Sequence, residues 1–166
     1  ANNKSFLVFD NESQKSSTVA GGLYNPVVLK RFTSVWKSKE QLNIALPMYK
    51  QLEEKLNVKL DYKIPVYRKF ASFEEQNDWF TASDKPSLSE YLSTNIIKNN
   101  NESIDAPFGF GEVLESGRVD VRTLVESYKK YLQKDDVLLE ESFDYKDLNN
   151  DVNGFNYPTQ KLEFEY

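Results

Sequence analysis

"GEVLESGRVDVRTLVESYKKYLQKDDVLLEESF", Gly111 to Phe143, changes its hydrophobic period twice, and the class of fold turns on how it is read. Its first part carries strand residues around Ser116-Gly117, and with the preceding "APFGF" it predicts a β-hairpin. Asp120 then stands where an N-cap belongs, and Val121, Leu124, Val125, Tyr128 and Leu132 fall on one helical face. "VLLEESF" (Val137 to Phe143) returns to a strand.

Upstream, "SFLVF" (Ser5 to Phe9) is a continuous apolar run ending at Asp10, as in a strand covered on both faces. Leu42, Ala45, Leu46, Tyr49, Leu52 and Leu56 recur at helical steps. Ser38 and Gln41 have capping-box spacing there, Asn57 suits a left-handed end, and Pro47 predicts a kink. Val58 to Phe73 predicts one or two strands interrupted at Pro65, and "DWFTAS" (Asp78 to Ser83) a further short one. "KPSLSEYLS" (Lys85 to Ser93) predicts a short helix with Ser87 and Glu90 at capping-box spacing, and "KNNNES" (Lys98 to Ser103) a loop. The alternation of Leu162, Phe164 and Tyr166 predicts a last strand with one buried face. Strands and helices do not alternate regularly. The expectation is an α+β fold, a largely antiparallel sheet with flanking helices, in a single domain over 1–166.

Composition removes several kinds of function. The 166 residues carry 39% hydrophobic and 14% aromatic side chains, enough for a core. A net charge of -5 argues against a general nucleic-acid partner. There is no Cys, hence no disulfide and no thiolate site, and no His, hence no imidazole base or ligand. No metal site is expected. Carboxylate, Lys, Tyr or Arg chemistry remains, or a borrowed cofactor. No apolar run approaches the roughly 20 residues needed to cross a bilayer, and "ANNKS" is no secretory signal. The chain reads as cytoplasmic, without a membrane partner. Its start, with no initiator Met, looks like that of an excised piece, Ala1 being a cloning remnant.

Five stretches bear on chemistry. "SSTVAGGLYNPVVLKRF" (Ser16 to Phe32) follows a strand that ends in an acid, so its hydroxyls and the Gly21-Gly22 backbone could meet a phosphate or ribose. Its spacing alone favours a turn. "NNDVNG" (Asn149 to Gly154) approaches a calcium loop, but Asn149 comes first and Gln160 twelfth, and a polar hairpin loop fits better. "PFGFGEV" (Pro107 to Val113) has glycines suited to a bulge or to close backbone approach, a flat cofactor being one reason for such approach. In "PVYRKF" (Pro65 to Phe70), Arg68 could hold a substrate carboxylate and Tyr67 donate a hydroxyl, although alternation sends them to opposite faces. An ordinary surface Arg and a half-buried Tyr are the alternative. The pairs Glu74-Glu75, Asp135-Asp136 and Glu140-Glu141 are sequence neighbours and make poor acid/base partners, which weakens a carboxylate-based hydrolase.

Taken in order, "FLVFD" with "SSTVAGGLYNPV" resembles the second strand and following loop of FAD-dependent oxidoreductases of the D-amino-acid oxidase/glycine oxidase superfamily. "GEVLESGRVDVRTLVESYKKYLQKDDVLLEESF" is similar to that family's hairpin, helix and strand returning to the flavin domain, and "LEFEY" falls where its next hairpin begins. The resemblance implies that Asp10 bonds the adenosine ribose hydroxyls. It implies that Ser16, Ser17, Ala20, Gly21 and Gly22 run along the cofactor, and that Asn25 and Pro26 shape the turn toward the flavin. The strands around Tyr67 and Arg68 and around Phe108 to Val113 would roof a small-molecule amine or amino acid substrate. Residues 1–36 would be a remnant of the flavin domain and 37–166 the substrate-domain-like portion with the return strand. No residue is assigned to catalysis. The family's G-x-G-x-x-G, about 20 residues before such a strand, is not in the sequence. This segment alone is therefore expected to bind FAD poorly, to be inactive, and to be a monomer or weak dimer through exposed strand edges. The alternative is a non-catalytic binding or protein-interaction module.

Overall fold

Trp79 has no exposed surface, and its indole lies close against Gly111, where an added Cβ would sit 2.6 Å from the ring. Phe70 and Phe32 meet the ring edge-on at 5.6 and 5.5 Å, and Trp79 Nε1 donates to the Ser93 carbonyl at 2.8 Å. The chain forms an α+β fold of helices and small, mostly antiparallel sheets.

The computed structural model describes residues 5–13, 15–151, 154–158 and 162–164. They form two units, Ala1–Ser16 with Lys129–Tyr166, and Ser17–Tyr128.

In the second unit, α2 (Ser38–Leu56) runs through Pro47 and ends at Asn57 in the left-handed conformation expected of it, φ 52°. Its start differs from the sequence reading. Lys37 is the N-cap, and Ser38 is buried within hydrogen-bonding distance of Ser34 Oγ at 3.1 Å. At the other end Glu53 Oε1 accepts from the Leu60 and Asp61 amides at 2.7 and 2.9 Å and pairs with Lys59 at 3.0 Å. Those amides, Leu60's foremost, hold its carboxyl down at about 2. The carboxylate thereby ties the helix to β5 (Asp61–Lys63).

Pro65 separates β5 from β6 (Val66–Lys69), as expected. "DWFTAS" is not a strand but the second half of α3 (Phe73–Ser83). Ser72 caps this helix by accepting from the Glu75 amide at 3.2 Å, and the Ser72/Glu75 spacing is the sequence signal for it. "KPSLSEYLS" forms successive tight turns, with Leu88 and Ser89 amides both on the Lys85 carbonyl at 2.9 Å, before β7 (Leu92–Ile97).

The anticipated hairpin at Ser116-Gly117 does not form. β8 (Phe110–Val113) lies between β6 and β7, whereas β9 (Gly117–Val119) lies between β5 and β2 (Leu23–Tyr24). Both chains change sheet at the same level, and buried Ser116 pins them. Its hydroxyl accepts from Val66 N at 3.1 Å and lies 3.0 Å from the carbonyls of Ile64 and Val113. A short hairpin of β3 (Val27–Val28) and β4 (Thr33–Ser34) precedes α2. Helix α4 (Val121–Lys134) starts as expected, with Asp120 accepting from the Thr123 amide at 3.1 Å.

In the first unit, β1 (Val8–Phe9) pairs parallel with β10 (Leu138–Leu139). β11 (Asn149–Asp151), β12 (Gly154–Tyr157) and β13 (Leu162–Phe164) form an antiparallel three-stranded sheet in which Asp151 pairs with Gly154. Val152, Asn153, Gln160, Tyr166 and the side chains of the last strand lie outside the described residues. Among the described residues no helix is long and apolar enough to cross a membrane.

Two outcomes test these packings by urea denaturation. Gly111→Ala should cost about 1–3 kcal/mol, because the new methyl has no room against the indole. Glu53→Gln should cost about 1–3 kcal/mol at pH 7. The Glu53 carboxyl is held below its ordinary 4.5, so its contribution is complete above that pH and lost as the pH falls toward 2. The gap between wild type and Glu53→Gln should accordingly narrow in acid.

Candidate functional site

Two parallel strands of the first unit, β1 and β10, run side by side. The Val8 amide donates to Val137 O at 2.9 Å and the Asp10 amide to Leu139 O at 3.0 Å, so both chains exit at one edge. Ligands of parallel sheets sit beyond such carboxyl ends. Here a cavity of 290 Å³ opens, lined by Phe9, Asp10, Asn11 and Ser13 from one exit and by Glu141, Ser142 and Phe143 from the other.

Local sequence shapes this edge. Asp10 Oδ1 accepts from the Glu12 amide at 2.9 Å and Asn11 Oδ1 from the Ser13 amide at 3.0 Å, two successive Asx turns. Asn11 Nδ2 donates to Ser142 Oγ at 2.7 Å and joins the exits. Beneath them Phe143 stacks on Tyr157 at 4.9 Å and meets Phe9 edge-on at 5.0 Å. The Tyr157 hydroxyl accepts from the Asp144 amide at 3.0 Å.

Lys129 gathers the charges of this unit. Its Nζ lies 2.8 Å from Glu12, 3.5 Å from Asp10 and 3.6 Å from Glu140. The Glu12 amide, assisted by Lys129, holds the Asp10 carboxyl below its usual value, and Glu12 in turn pushes the Lys129 ammonium up. Asp10, Glu12 and Lys129 are thus each held in the charged form at neutral pH. Lys15 adds a second ammonium 3.5 Å from Glu12 Oε2, and the three carboxylates still leave spare acceptors, suited to hydroxyl donors. Lys129 escaped sequence reasoning because ion pairing to residues so distant in the chain leaves no local trace. The available signal was a lysine four residues after Val125 and three before Leu132, at the margin of the apolar stripe.

Of the other loop residues, Ser16 belongs to the first unit and Ser17, Ala20, Gly21, Gly22 and Asn25 to the second. Ser16 and Ser17 lie in the single turn α1 (Ser16–Val19), and both are exposed, as are Ala20 and Gly21. Gly22 has φ +69°, and a Cβ there would collide with the Val119 carbonyl, so β9 itself requires this glycine. Gly21 has open space around it, and its carbonyl accepts from Arg118 Nε at 3.2 Å. Asn25 Oδ1 accepts from the Val27 amide at 2.9 Å and sets the turn over Pro26.

Tyr67 and Arg68 do project to opposite faces of β6. The Arg68 guanidinium is engaged by Glu75, with Nε at 3.0 Å and Nη2 on the same oxygen, over the Phe32 ring. Tyr67 is 48% exposed, 6.2 Å from the Phe110 ring, and its register partner is Glu112. Tyr24 donates to Asp61 at 2.7 Å and receives Lys63 at 3.0 Å. Burial and Asp61 push its phenol up, so it remains protonated and offers no base. A larger cavity, 1020 Å³, is ringed by residues 98–109 with Gln76 and Ile96. Two of its amides are engaged by the loop: Gln76 bonds Phe108 O at 2.5 Å, and Asn99 bonds the Ile104 carbonyl. Among the described residues no group of three or more Asp or Glu could hold a metal ion.

No family model and no solved structure matches this chain.

The two adjacent glycines make opposite predictions. Gly22→Ala should destabilise by about 1 kcal/mol or more, through both the positive φ and the collision with Val119. Gly21→Ala should leave the thermal midpoint unchanged.

Proposed function

We propose that this chain is an internal segment of a FAD-dependent oxidoreductase acting on an amine or amino acid. The observation that carries the reading is the parallel pair of β1 and β10 with Asp10 at its carboxyl end beside an open crevice. A strand ending in a ribose-binding acid, next to a strand that returns after a long insertion, is what the sequence resemblance calls for. The donor set fits: ionised Asp10 with its neighbours offers acceptors to the two ribose hydroxyls. The glycine-rich turn for a diphosphate is not among the 166 residues, so the segment alone is inactive in this reading.

Asp10 would hold the adenosine ribose. The exposed Ser16, Ser17, Ala20 and Gly21 would follow the cofactor, with Gly22 and Asn25 fixing the loop's path. Bound FAD would supply the acceptor for hydride from the substrate carbon, an amine becoming an imine. The uncovered side of β6 and β8, with Tyr67 and Phe110, would face the substrate, and Arg68 would brace Glu75 behind it. A cytoplasmic place, no nucleic-acid partner, and a monomer or weak dimer belong to the same reading. A second reading, a non-catalytic binding or interaction module, draws on Phe73, 68% exposed and edge-on to Phe108 at 5.0 Å.

Absorbance of the full-length protein carrying these residues decides between them. The oxidoreductase should be yellow and release FAD on denaturation, while residues 1–166 alone should be colourless. A folded, colourless full-length protein that takes up no added FAD would overturn the reading.

A further inference from the structure

We propose that Lys129 is a positioning residue whose ammonium holds the Asp10 carboxylate in the attitude that receives the ribose hydroxyls. This rests on the flavin reading above.

Asp10 is 43% exposed at a strand exit, where a carboxylate would ordinarily turn freely. Two contacts restrain it from different directions. The Glu12 amide takes Oδ1 at 2.9 Å, and Lys129 Nζ stands 3.5 Å from Oδ2. The amide belongs to Asp10's own loop and moves with it. Lys129 belongs to helix α4, 117 positions along the chain from Glu12, and fixes the carboxylate to an independent frame. Its side chain is only 19% exposed, while the three carboxylates it meets are 43–58% exposed. The enclosed member is thus the cation, and the carboxylates keep solvent-facing lone pairs for a ligand. Exposed ion pairs add little to stability, so the consequence of this hub is orientation.

The prediction is selective. Lys129→Met keeps most of the side chain's volume and removes the charge. In the full-length protein it should weaken FAD binding about tenfold by fluorescence titration. FMN lacks the adenosine ribose, and its affinity should change less than about twofold. Its phosphate also controls for general repulsion, which salt screens beyond about 8 Å at physiological ionic strength. Lys129→Arg should restore FAD binding, and in an Asp10→Asn background Lys129→Met should have no further effect.

Unchanged FAD affinity in Lys129→Met, or equal losses for FAD and FMN, would overturn the positioning role while leaving the flavin reading standing. A wild-type full-length protein that binds neither flavin would overturn both.

Discussion

The indole of Trp79 on the bare backbone of Gly111 is the contact on which the second unit depends. Here the indole takes the space that a side chain on β8 would fill, and Gly111 is where β8 leaves it open. The consequence spreads through the sheet. With Trp79, Phe70 and Phe32 filling one side of β6 and β8, Arg68 on that side is drawn into a pair with Glu75, and Tyr67 is left on the other. The flat ring that "PFGFGEV" admits is the protein's own. Glycine spacing of a kind that also admits a flat cofactor is used here to seat a core residue.

Several elements were legible because the force that shapes them is local. The stripes of α2 and α4, the Asp120 cap, the left-handed Asn57 and the break at Pro65 all follow from residues within a turn or two of each other. The failures share the opposite property. Ser116-Gly117 has hairpin composition, yet which strand a segment joins depends on partners 50 residues away. Ser116 ends up bridging two crossing chains instead of turning one back. In "DWFTAS" a short β-prone run is overridden by helix entry at the Ser72 cap upstream of it.

The candidate site divides in the same way. Asp10 could be found because an acid ending an apolar strand is a local pattern. Asn25 could be found because an Asn before Pro shapes its own turn. The engagement of Arg68 by Glu75 required the strand-to-helix geometry of β6 and α3, and no periodicity announces it. Lys129 required the meeting of a helix with two strand exits. Among the sequence-predicted residues, those whose side chains are already spent on the fold are Arg68 and Asn25, whereas Ser16, Ser17, Ala20 and Gly21 remain exposed.

The parallel pair that creates the crevice is itself short. β1 and β10 are two residues each, and their pairing closes a loop of well over a hundred residues. Loop closure on that scale is entropically unfavourable, and the few backbone bonds contribute only about 1 kcal/mol each. The pair must be held by something else. The ring stack of Phe9, Phe143 and Tyr157 supplies apolar area directly beneath the strand ends, and aromatic pairs add about 0.5–1.5 kcal/mol each beyond burial. Asn11 to Ser142 and Lys129 to its carboxylates then close the rim. The crevice is thus formed by side chains that cross between the exits, and the same crossings leave Asp10 with acceptors facing outward. Fold and candidate chemistry meet in that one carboxylate: its amide contact shapes the loop, its lysine contact fixes its direction, and its remaining lone pairs are what a ligand would find.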